Sequence, residues 1–176
     1  MTVGTSVALL RGINVGGANR LPMKVLTSIA GGLGWQDLRT YLASGNLLFR
    51  SQGQPKALSE ALHAAIAQDT GLDVRVLVLP GQVLLEALSA CPWTPEDDRH
   101  VHLFFLFAPA NPKADRIAAL QAADEELKIA GEVAYLHAPS GIGRSKLAAQ
   151  LPNLLGCDAT ARNLRTVRSL AEMLAE

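Results

Sequence analysis

Aromatic side chains make up only 5% of this 176-residue sequence. The core must therefore come from Leu, Val, Ile and Ala, and a platform that stacks successive bases has few rings to draw on. Cysteine is nearly absent too. Cys91 and Cys157 share no CxxC spacing, which excludes a zinc framework of paired cysteines and suits a reducing compartment. Both are expected as small apolar fillers. Net charge is zero, which disfavours a protein that grips DNA by neutralising phosphates. No apolar run approaches the roughly 18 residues of a membrane span. The start lacks the basic region and long apolar core of a signal peptide. The expectation is a cytoplasmic protein with no membrane partner.

What is present is apolar: 49% of the residues, enough for a folded core. Charge is unevenly spread. Residues 1–50 carry five Lys or Arg against one Asp, residues 51–140 six against twelve acids, and residues 141–176 five against three. An anionic partner would meet the two basic ends.

Residues 6–10 read as a buried strand and residues 11–20 as a loop. Pro22 opens a helix that Gly31, Gly32 and Gly34 end. Residues 38–43 and 47–50 read as strands around a Ser44-Gly45-Asn46 turn or bulge. An amphipathic helix over 55–70 ends at Gly71, and a strand covers 74–79. This is the β-α-β-β-α-β order of a ferredoxin-like half. A short helix over 82–90 follows. The strand at 100–107 precedes a helix over 113–123, capped by Asn111 with Pro112 in its first turn. A hairpin covers 125–129 and 132–137. The tail departs from the repeat, with a helix over 143–155 interrupted by Pro152 and a terminal helix over 163–175. The expected fold is α+β: two ferredoxin-like βαββαβ-type halves on largely antiparallel sheets, plus C-terminal helices. The halves are expected at 1–79 and 80–176, tightly associated.

Four stretches carry the candidate chemistry. Arg11-Gly12-Ile13-Asn14-Val15-Gly16-Gly17 places an arginine and glycines between a strand and a helix, where backbone N–H groups can turn toward an anion. It lacks the dinucleotide fingerprint and a Walker lysine. Ser44-Gly45-Asn46 is a hairpin turn that the topology could bring near Asn14. In Gly141–Lys146, Gly143, Arg144, Ser145 and Lys146 precede a helix; together they can clamp an oxyanion or simply cap the helix among solvated cations. In Thr160–Thr166, Thr160 or Asn163 can cap the last helix, and Arg162 and Arg165 are neighbours if both are helical. His100 and His102 share a strand face without a third metal ligand. No catalytic set, metal site or cofactor is assigned, and whether the chain is an enzyme stays open.

These stretches, read as ALLRGINVGG with Pro22-Met23, TYLASGNLLF, YLHAPSGIGRSKL and TARN…TV, resemble in order the bacterial DUF1697 family, whose name marks its function as unknown. The resemblance runs over nearly the whole chain and implies a compact α+β protein with ferredoxin-like halves. It brings no reaction, ligand or catalytic residue. The family pattern commonly places an aromatic after TxRN, where this chain has Leu164.

Three functions follow as expectations. The first is binding of a phosphate- or carboxylate-bearing small molecule by Arg11, Gly12, Asn14, Gly16, Gly17, Ser44, Gly45, Asn46, Gly143, Arg144, Ser145, Lys146, Arg162 and Asn163. The second, an RNA or single-strand module with an open sheet face, is disfavoured by charge and composition. The third is a structural or interaction role in which the polar loops hold the two halves together.

Overall fold

A computed structural model describes residues 3–176. The chain divides into two compact units. One runs to Glu86 and takes in Leu170–Glu176; the other is Ala87–Ser169.

The first unit contains β1 (Thr5–Leu10), α1 (Met23–Gly32), β2 (Gln36–Tyr41), β3 (Asn46–Arg50), α2 (Pro55–Thr70) and β4 (Val76–Pro80), followed by α3 (Gly81–Ser89), within which the division falls. The sheet order is β2-β3-β1-β4, and every pairing is antiparallel. Strand alternation decides the packing. Ala8, Leu10, Leu47, Phe49, Val76 and Val78 share one core with Leu26 and Ile29 of α1 and Leu58, Leu62 and Ile66 of α2. Trp35 stacks on Phe49 with ring centroids 3.9 Å apart. On the other face, Val7, Leu9 and Leu48 are also fully buried.

The second unit repeats the order: β5 (Val101–Leu106), α4 (Ala114–Leu120), β6 (Glu126–Ala130), β7 (Val133–His137), α5 (Lys146–Leu155) and β8 (Ala159–Asn163), then the start of α6 (Leu164–Ala175), whose residues from Leu170 belong to the first unit. Its antiparallel sheet has the matching order β6-β7-β5-β8. The likeness extends to single backbone bonds. Leu10 N–H donates to Gly45 O and Arg11 N–H to Arg75 O; correspondingly, Leu106 N–H donates to Glu132 O and Phe107 N–H to Asp158 O.

Several expectations need correction. The tail does not depart from the repeat, because α5 and β8 complete it. Thr160 lies in β8 and caps no helix, and Arg162 is in a strand, so it is no helical neighbour of Arg165. Pro152 does not interrupt α5, which runs to Leu155. Burial of Leu151, Leu154 and Leu155 outweighs the one N–H that proline removes from the ladder. Asn111 does not cap α4; its N–H donates to Leu155 O at 2.8 Å, and the cap position is Lys113. β2 ends at Tyr41, two residues early, because Leu42 turns into the left-handed region at φ 59°.

Gly45 is a tight point of the first unit. Its φ is 91°, and an added Cβ would lie 2.8 Å from both Leu10 Cβ and Ile13 Cδ1. Strain and overpacking combine there. Gly45→Ala is expected to lower stability by about 2–4 kcal/mol in urea unfolding; a loss within experimental error would contradict the tight approach.

Candidate functional site

The end of β1 organises the first unit's polar residues. Beyond Leu10 the chain forms a small hairpin of its own. Asn14 N–H donates to Asn19 O at 3.1 Å, and Ala18 N–H to Val15 O at 3.1 Å. Gly16 and Gly17 have φ of 59° and 79°, the sign pattern of a two-residue I′ turn that glycine adopts cheaply. The tip is solvent-exposed, with Val15 at 66%.

Asn14 ties this hairpin down. Its side-chain amide donates to Leu21 O at 2.9 Å and to Ala43 O at 2.7 Å, while its Oδ1 accepts from Leu21 N–H at 2.8 Å. Asn19 adds a bond to Gly12 O at 3.2 Å. The Leu42–Asn46 turn is therefore fastened to the glycine loop by Asn14 to Ala43 O and by Leu10 N–H to Gly45 O, 2.9 Å. Asn46 is fully buried and donates to Tyr41 O at 2.7 Å and Ser44 Oγ at 3.1 Å. The structure thus brings Arg11–Gly17 and Ser44–Asn46 together.

A residue that the sequence reading passed over joins them. The β1–β4 register runs to Leu10 opposite Val76. One step further it sets Arg11 against Arg75, and Arg11 N–H donates to Arg75 O at 3.0 Å. Residues directly opposite in an antiparallel pair have Cβ atoms about 4.5–5.5 Å apart on one face. Two arginines thus share one sheet end beside the glycine hairpin, Arg11 half-buried and Arg75 exposed.

The other two stretches lie in the second unit. β7 and β8 both leave the sheet beside the start of β5, since His137 pairs with Val101 and Asn163 with His102. Gly141, at φ 99°, precedes a 3-10 turn over Ile142–Arg144. Ser145 Oγ then accepts from Ala148 N–H at 3.0 Å as the cap of α5, and Gly143, Arg144 and Lys146 are exposed. Asn163 Oδ1 accepts from Thr166 N–H at 2.9 Å at the start of α6. Arg162 is buried on the sheet face away from α4 and α5. It donates to Thr160 Oγ1 and Ala161 O, both at 2.8 Å. Burial pushes its pKa down to about 10, which leaves it cationic at neutral pH.

The first unit carries grooves at its surface. One of about 720 Å³ is lined by Thr5, Ser6, Ser51, Gln54, Gly81 and Gln82 among others. None of the candidate residues lines it. Among the described residues no three His, Cys, Asp or Glu side chains gather as metal ligands, and no helix is long and apolar enough to cross a membrane.

The family model described as "Protein of unknown function (DUF1697)" matches residues 3–135. That span includes the Arg11 and Ser44 stretches and stops short of Gly143–Lys146 and Arg162–Asn163. Among solved structures, the conserved bacterial protein SP0830 from Streptococcus pneumoniae is similar, with a TM-score of 0.75 and 23% identity over 97% of this chain and 98% of that one. At that identity the likeness is one of fold. No curated protein matches.

His102 has a buried Nδ1 without a hydrogen-bond partner. Burial first, then the nearby charge of His100, push its pKa from 6.5 down to about 4. The unfolded chain binds this proton at a higher pH than the folded chain. Stability is therefore complete above pH 6.5 and falls as pH drops toward 4, by up to about 3 kcal/mol. His102→Leu is expected to flatten that part of the stability–pH curve in urea unfolding; an unchanged slope would contradict the assignment.

Proposed function

The chain belongs to the DUF1697 family of proteins of unknown function, and we propose that it binds a small molecule bearing a phosphate or carboxylate at the Arg11 end of the first sheet. The observation that carries this reading is the strand register that sets Arg11 beside Arg75. Guanidinium forks recognise phosphate and carboxylate through charge-assisted hydrogen bonds. Gly12, Gly16 and Gly17 have no side chains to keep a ligand from the neighbouring backbone. Asn14, Ser44, Gly45 and Asn46 fix the geometry of the two turns. Gly143, Arg144 and Lys146 offer a second cationic surface, whose Ser145 is engaged as a helix cap; the proposal rests on the first unit alone.

A second reading is favoured by one specific observation. The Asn14 side chain makes three bonds to backbone groups of its own unit, as a purely architectural motif would. A base-binding role draws less support, because Val7, Leu9 and Leu48 on one sheet and Leu103, Phe105 and Tyr135 on the other are buried.

Thermal unfolding with inorganic phosphate separates these readings. The unmodified protein is expected to gain roughly 2.7 kcal/mol at 100 times Kd, and Arg11→Ala and Arg75→Ala to fold with near-normal Tm and lose the gain. No gain in the unmodified protein, together with a marked loss of Tm in Arg11→Ala, would overturn the binding reading in favour of the architectural one.

A further inference from the structure

The opposite end of β1 carries a different chemistry. Thr5 and Ser6 open the strand, whereas Arg11 follows its last residue. Beside them lie Ser51–Gln54, which follow β3, and Pro80–Gln82, where β4 passes into α3. The registers bring these segments together, with Thr5 opposite Arg50 and Ser6 opposite Pro80. They line the groove of about 720 Å³, a volume within the range of small-molecule sites. One wall is fixed by a close backbone approach, since a Cβ added at Gly81 would lie 2.7 Å from Thr5 O.

The lining is polar and uncharged. Thr5, Ser6 and Ser51 bring hydroxyls, and Gln52, Gln54 and Gln82 bring amides; among the described residues no ionisable or aromatic side chain lines this groove. Ser51 Oγ donates to Gln52 O at 3.3 Å and Gln82 Nε2 to Glu86 Oε1 at 3.2 Å. The side chains of Thr5, Ser6, Gln52 and Gln54 make no hydrogen bond to a described residue. Two smaller grooves adjoin this one, sharing Ser51 and Gln52 in one case and Thr5 in the other. Their ionisable lining residues pair with each other, Arg39 with Glu176 at 2.9 Å and Arg50 with Asp37 at 3.4 Å. The charges that border the groove are offset locally, and a ligand inside it meets hydroxyls and amides.

We infer that this groove binds a neutral saccharide. Hydroxyl and carboxamide side chains both donate and accept hydrogen bonds, as sugar hydroxyls do. A charged ligand would leave water for a groove that offers no counter-charge. An extended peptide would need a free strand edge to pair with. β1 and β3 are the inner strands of the order β2-β3-β1-β4, and β4 reaches the groove through Pro80, which has no N–H to donate. The site lies at the other end of β1 from Arg11, so it goes beyond the anion reading and does not rest on it.

Amide NMR titrations with glucose, glucosamine and glucuronate test this, because the three share a ring and differ in charge. Glucose is expected to give saturable shifts at Gly4, Gly53, Gly81 and Gln82 and to bind at least about threefold more tightly than either charged sugar. The double variant Gln52→Ala, Gln54→Ala should keep a near-normal Tm, since both residues are exposed. It should weaken glucose by about three- to tenfold or more, the loss of at least one hydrogen bond. Equal or tighter binding of a charged sugar would overturn the neutral class. No shift at those four amides with any of the three, or an unchanged affinity in the double variant, would overturn the site. Each of these outcomes leaves the Arg11–Arg75 reading as it stands.

Discussion

The first unit depends on one side-chain amide. Asn14 binds Leu21 through both its amide group and its oxygen and reaches Ala43 O across the sheet end. Removing it would release the glycine hairpin, the entry to α1 and the Leu42–Asn46 turn together. Three bonds from one residue cost little entropy beyond the first, since one rotamer serves all of them. The close approach at Gly45 follows from the same fastening. Val15 and Leu42 are exposed on the two turns that this amide joins.

The second unit shows the same backbone with different chemistry. Matching the paired hydrogen bonds sets Phe107 where the first unit has Arg11, Glu132 where it has Gly45 and Asp158 where it has Arg75. The registers likewise set Val133 where the first sheet has Asn46, and Arg162 where it has Leu79. A β-α-β-β-α-β scaffold therefore carries a cation pair in one copy and an aromatic–acid pair in the other. Fold alone does not decide what such a sheet end binds; the residues placed there do.

Much of this was legible in the sequence, for identifiable reasons. α2 was readable to the residue because Pro55 sits in its first turn, Leu58, Leu62 and Ile66 share a face, and Gly71 takes the left-handed cap at φ 75°. β8 was not, because Ala159–Asn163 holds small and polar residues next to a strong helix signal, and its pairing with β5 supplies what propensity does not. The glycines and asparagines of the candidate site announced tight turns. The partner of Arg11 was hidden, since opposition to Arg75 depends on a long-range register. The work of Asn14 was hidden for a related reason: the carbonyl at Ala43 is 29 residues away.

The most direct measurement is a titration of isotopically labelled protein with inorganic phosphate, followed by amide NMR shifts. The account predicts saturable changes centred on Gly12, Gly16, Gly17 and Arg75. Changes centred on Gly143–Lys146, or none at saturating ligand, would contradict it.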